Sequence, residues 1–207
     1  MKKSVRGQLT RHFVGVSKLK SQYARLDAKF SKISDVFGFH CKDGCGACCA
    51  GPAYSKEATV FEMLPMAIDF LDKGIAADVL NILLDAADCS QIPCVNYVCV
   101  DEKNGCGHCA HHELRPFVCR MFGDSMYHVK EDRLEFTGCH YLKEKFNGNQ
   151  DFLRKKLPVI GETVMRGREL GEDDFLEITD INTALRNALE LVCVKYDLIC
   201  GKMKNED

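Results

Sequence analysis

Four cysteines fall within nine residues, Cys41, Cys45, Cys48 and Cys49, in the order C-x3-C-x2-C-C. Gly44 and Gly46 stand among them, and glycine lets a backbone turn tightly enough to aim several sulfurs inward. A single buried cysteine is adequately explained as a small hydrophobe, but four in one glycine-rich turn are not. The chemistry this spacing suits is metal binding by thiolates. If the local backbone is extended, successive side chains diverge, so Cys48 and Cys49 are expected to face different ways, one of them serving a second site.

Further sulfur follows at Cys94, Cys109, Cys119 and Cys139, and the middle pair frames Cys109-Ala-His-His-Glu-Leu-Arg-Pro-Phe-Val-Cys119-Arg120. With the opening C-x3-C-x2-C-C, this C-x5-R-P-x2-C-R segment resembles the YkgJ-type cysteine-cluster family, described as zinc- or iron-chelating. That family is distantly related to flagellin lysine N-methylase. The match runs from Cys41 to Cys139, leaving 1–40 and 140–207 outside it. The resemblance implies eight metal-site positions, Cys41, Cys45, Cys48, Cys49, Cys94, Cys109, Cys119 and Cys139, with Arg115, Pro116 and Arg120 completing the signature. The chain departs from the pattern at Val95-Asn96-Tyr97, at His111-His112 and at Gly123.

Softness of the ligands permits either iron or zinc. An iron–sulfur cluster, [4Fe–4S] in type, is expected because three ligands cluster tightly and because the methylase relative is understood to carry one; zinc is the alternative. Four thiolates around either leave a negative site, which guanidinium groups stabilise, and Arg115 and Arg120 are placed for that role.

The same cysteine triad occurs in radical S-adenosylmethionine enzymes, but no alternating strand–helix series follows here, as an α/β barrel requires. Cys106-x2-Cys109 and Cys45-x2-Cys48 imitate a four-cysteine zinc site, at a separation far longer than compact zinc ribbons use. His108, His111 and His112 stand close to Cys106 and Cys109 and could ligate a metal or relay protons, but they read better as exposed loop histidines. Cys89, Cys99, Cys193 and Cys200 fall outside the family pattern, and the last two look like helix packing residues.

These residues need positioning. Val16, Leu19, Tyr23, Leu26, Phe30, Ile33 and Phe37 recur at steps of three and four, the stripe of a long amphipathic helix that Gly38 stops. The stripe is too short for a dedicated zipper, so it is expected to lie across its own domain, while remaining a candidate dimer contact. Ser55 is placed to cap a helix through Phe61 and Leu71 to Gly74, with Pro65 inside it, and a second helix covers Ile75 to Ala87. Cys89 to Gly123 reads as irregular loops and short turns that need an internal anchor. Met126 to Thr137 alternates around Glu131-Asp132, a small hairpin. Helical spacing returns from Asp151 and ends with a helix over Ile181 to Cys200.

The expected fold is mainly α: one helical domain over 1–207, with metal-anchored irregular loops and one small β-hairpin. Within it, 1–40 is a basic amphipathic helix, 41–139 the cysteine-cluster core and 140–207 the C-terminal helices.

At 207 residues the chain needs no disulfide staples, and its thirteen cysteines cannot all pair. The formal net charge of −2 gives no footprint for nucleic acid or an anionic membrane. Neither a secretory leader nor a membrane span is legible, so the cytoplasm is expected. The expected partner is another protein or a redox partner. The function classes left standing are an iron–sulfur protein for redox, metal handling or sensing, an S-adenosylmethionine-dependent protein lysine methylase-like enzyme, and a zinc-stapled interaction module.

Overall fold

The computed structural model describes residues 5–38, 45–103, 106–122, 125–129, 133–136, 157 and 159–204. Cys41, Cys139 and the hairpin turn at Glu131-Asp132 lie outside the described residues, as does most of 137–158.

The chain is mainly helical. Its first helices are α1 (Val5–His12) and α2 (Val16–Phe37), then a one-turn α3 (Ala47–Ala50). The core pair consists of α4 (Val60–Asp72), followed by α5 (Ala76–Asp85), and the last helix, α8 (Ile181–Lys204). Between them come α6 (Phe117–Met121) and α7 (Ile160–Arg168).

The expected single N-terminal helix is in fact two. Gly15 separates them with φ +83°, where a Cβ would lie 1.8 Å from the Leu170 carbonyl oxygen, so only glycine fits. The α2 stripe is as expected: Val16, Leu19 and Tyr23 join the chain's own core, Phe30 is buried further along, and Gly38 closes the helix at φ +66° by donating to the Ser34 carbonyl.

α4 is the central element. Every residue from Phe61 to Phe70 is buried, as befits a helix that is apolar nearly all round. Its cap is Thr59, not Ser55: Thr59 Oγ1 accepts from the Glu62 amide at 3.2 Å while Glu62 Oε2 accepts from the Thr59 amide at 3.0 Å. This reciprocal box satisfies two helix-end donors, whereas Ser55 sits in a 3-10 turn and donates to the Pro52 carbonyl. α8 packs along α4 through Ala184, Leu185, Ala188, Leu189 and Val192, all fully buried.

Three two-stranded antiparallel sheets complete the described fold, where one was expected. The predicted hairpin is present as β4 (Met126–His128) against β5 (Leu134–Phe136), in register Met126↔Phe136. The second joins β1 (Glu57–Thr59) to β6 (Ile178–Asp180). The third pairs β2 (Tyr97–Asp101) with β3 (Cys106–Cys109), with a bulge between Cys99 and Asp101. The stretch 89–123, read from composition as irregular, thus contains a hairpin and a helix.

Candidate metal centre

The cysteine turn is helical, not extended. Cys49 and Ala50 both donate their amides to the Gly46 carbonyl, at 2.8 and 2.9 Å, and this winding leaves the sulfurs of Cys48 and Cys49 3.8 Å apart. The expected divergence of these neighbours is therefore corrected, because it presupposed a strand. Cys45 precedes the turn in an antiparallel bridge opposite Cys106.

α3 rests on the β2–β3 hairpin. Two glycines make this contact possible: a Cβ on Gly46 would lie 2.9 Å from the Gly107 Cα, and a Cβ on either residue would strike the Tyr97 ring, at 2.6 Å from Gly46 and 2.5 Å from Gly107. Tyr97 thereby covers the joint between the two cysteine segments.

Three further predicted sulfurs come from separate places. Cys94 is buried just before β2, where the Asn96 side-chain amide approaches its sulfur at 3.7 Å and Met66 Sδ at 3.2 Å. Asn182, fully buried at the start of α8, anchors that segment. Its Nδ2 donates to the carbonyls of Cys89 at 2.7 Å and Pro93 at 3.1 Å, and its Oδ1 accepts from the Val95 amide at 3.0 Å. Cys109 ends β3 opposite Tyr97, and Cys119 lies within α6.

Electrostatics link these sulfurs through mutual repulsion of their anions. The Cys119 thiol is pushed far up, first by the protein around it and then by Cys94, with Cys109 and Cys48 adding and Arg115 opposing. Cys109 is raised by burial and, more weakly, by Cys48; Cys94 is raised by burial and by Cys109. The hydrogen bond between the two sulfurs lowers the Cys48 thiol to about 6 and, with burial, raises that of Cys49. Arg115 and Lys56 both favour the Cys48 thiolate.

The two predicted arginines differ in what they touch. Arg115 lies in the field of Cys48, Cys109 and Cys119 and donates from Nε to the His112 carbonyl at 2.8 Å. Arg120 is buried, and its guanidinium is committed to structure. It ion-pairs with Asp27 of α2, donates to the carbonyls of Glu113 and Arg115, and lies over the Tyr23 ring at 4.3 Å.

Does this set suit a cation? Neutral thiols that raise one another resist ionising together, and a positive ion among them would relieve that repulsion, so the donor chemistry fits a thiophilic metal. Among the described residues, no group of three or more Cys, His, Asp or Glu side chains is arranged to hold a metal ion. Two of the eight predicted positions, Cys41 and Cys139, lie outside those residues.

Sequence reasoning missed Lys56. Its ammonium is buried and donates to the Gly51 and Pro52 carbonyls at 2.9 and 3.1 Å, directly after the cysteine turn, and it favours the thiolates of Cys48 and Cys94. It also missed Asn96 and Tyr97, although both sit at the family departure Val95-Asn96-Tyr97. The His111 ring lies tilted against Phe70, at 59° with centroids 4.5 Å apart. Of the remaining cysteines, Cys89 is buried beside Thr183, Cys99 is exposed, and Cys193 packs at the edge of the core.

Among the described residues, no helix is long and apolar enough to cross a membrane. Compared with models of known protein families, with curated proteins and with solved structures, the chain gives no match in any of the three.

Proposed function

We propose that this chain is a metal-binding cysteine-cluster protein, similar to the YkgJ type, that holds an iron–sulfur cluster of [4Fe–4S] form for a redox, metal-handling or sensing role. One observation supports the reading: the Cys48 and Cys49 sulfurs lie 3.8 Å apart on a turn packed against the hairpin that carries Cys109, and Cys94, Cys109 and Cys48 all raise the Cys119 thiol. Thiols drawn together and left mutually destabilised as anions suit a shared cation better than a packing role.

Cys48, Cys49, Cys94, Cys109 and Cys119 would supply thiolates, with Cys41, Cys45 and Cys139 completing the eight. Bound there, the group would supply one-electron transfer. The chain's own residues do the rest. Lys56 and Arg115 offset negative charge, Asn96 orients the Cys94 sulfur, and Arg120 holds Arg115 by its carbonyl. Retaining so many thiols suits a reducing compartment, the cytoplasm, and an electron-exchanging protein as partner.

Protein purified without oxygen tests this. Iron and acid-labile sulfide in comparable amounts, a brown colour and a visible absorbance that bleaches on reduction are expected. Colourless protein with stoichiometric zinc overturns the choice of iron, and metal-free protein overturns the reading altogether. Saturable S-adenosylmethionine binding would instead favour a methylase-like enzyme.

A further inference from the structure

Cys48 and Cys49 are neighbours in sequence, and the helical winding of their turn brings the two sulfurs to 3.8 Å, on one side of the backbone. Neither is in a disulfide. Joining them to each other is disfavoured, because consecutive Cα atoms stand about 3.8 Å apart across a trans peptide, whereas disulfides span about 4.4–6.8 Å. A direct S–S bond would need the turn to deform. A single larger atom seated between the sulfurs would not.

The turn that presents the pair is held at both ends. Before it, Gly46 lies against Gly107, and a Cβ on either would strike the Tyr97 ring. After it, Lys56 Nζ donates to the Gly51 and Pro52 carbonyls at 2.9 and 3.1 Å, and the Ala53 amide donates to the Ile92 carbonyl at 2.8 Å. Cys48 is exposed and Cys49 half-buried, so a small molecule reaches them from solvent. Once one sulfur has bonded, the other closes the ring as an intramolecular step, with the high effective concentration of a group already in place.

We infer that Cys48 and Cys49 form a two-thiol binding site for monosubstituted trivalent arsenicals, compounds R–As=O whose arsenic offers two valences to sulfur. Thiolates are soft ligands, and trivalent arsenic is a soft centre. Its pyramidal geometry gathers the substituents on one side, which two sulfurs in contact match and a linear two-coordinate ion does not. The step is a condensation with no change of oxidation state. Two As–S bonds form, the arsenic–oxygen double bond breaks, and the oxygen leaves as water with the two thiol protons. The site needs these two sulfurs alone, so it stands whether or not the proposed cluster is bound in the native protein.

The test uses full-length protein, reduced and freed of metal with a chelator, its fold checked by circular dichroism. It is titrated with phenylarsine oxide, alkylated with iodoacetamide and digested with trypsin. The tryptic peptide 43–56 carries Cys45, Cys48 and Cys49 together. One equivalent of the arsenical should shield Cys48 and Cys49 from alkylation and leave Cys45 labelled. Dimercaptopropanol should reverse the shielding and excess glutathione should not, as befits a chelate. Shielding of Cys45 with Cys48, of any other two cysteines, or of none overturns the site. In a second arm, Cys49→Ser should weaken binding at least about tenfold while Cys45→Ser and Cys99→Ser retain it. Equal affinity in Cys49→Ser overturns the site as well. Metal analysis before the chelator is added judges the proposed function separately.

Discussion

Asn182 Nδ2 donates to the Cys89 carbonyl at 2.7 Å, so the first turn of the last helix grips the loop that leads to Cys94. The same amide also holds Pro93 and Val95, which exhausts its donors and employs its acceptor. A helix far along the chain thus fixes the position of a proposed ligand.

Replacing Asn182 with Ala strands two carbonyls and one amide in a buried site, at a cost of about 1–3 kcal/mol for each group left unsatisfied. Urea denaturation should show at least that loss. Metal content should fall with it, although residue 182 carries no sulfur. A variant with wild-type stability and metal would show that the loop holds itself.

Arg168 Nε lies 3.0 Å from Glu62 Oε2, and the Glu62 side chain is fully buried. Removing one partner of such a pair leaves a buried charge uncompensated, at about 3–5 kcal/mol. Arg168→Ala should therefore lower the melting temperature markedly, while Arg166→Ala, whose pairing with Glu162 is exposed on both sides, should barely move it. Similar losses from the two would remove Glu62 as an anchor of α4.

Cysteine-to-serine substitution separates ligand from filler. Cys48→Ser is expected to lose metal and loosen the surrounding loops together, since binding and local folding are coupled. Cys193→Ser should keep its metal, for Cys193 only borders the core. Metal analysis with thermal melting checks both, and unchanged values for Cys48→Ser would remove it from the ligand set.

Alkylation of the native protein should follow burial. Cys99 is exposed and Cys89 is buried beside Thr183, so brief treatment with iodoacetamide should label Cys99 and spare Cys89 until denaturant is added. Peptide mass spectrometry reads the order directly, and early labelling of Cys89 would mean that the α8 contact opens readily.

Long, strongly periodic elements were legible. The α2 stripe from Val16 with its stop at Gly38 and the start of α8 at Ile181 are where spacing puts them, because a helix stripe is local information. The β4–β5 hairpin was legible for the same reason. The pairing of Glu57–Thr59 with Ile178–Asp180 was not, since strands of three residues carry no alternation and their partners are remote. The β2–β3 hairpin hid behind cysteine and glycine, which read as turn. Thr59 could have been found: Thr-x-x-Glu ahead of an apolar run signals a capping box.

In the site, the sulfurs announce themselves by type and spacing. Their supports do not, because Lys56, Asn96 and Asn182 matter only through where the fold carries them. Arg120 shows the converse. Adjacency to Cys119 suggested an electrostatic role toward the metal, but α2 brings Asp27 to it and the surrounding carbonyls take its other donors.

The β1–β6 pairing also bears on how the chain reaches this state. Its two short strands clasp the ends of an excursion longer than half the chain, and every proposed ligand from Cys94 onward lies within that ring. Closing so large a ring costs entropy that local helices do not repay. Refolding should accordingly be slower than the helix content suggests, with the clasp shutting after the helices have wound.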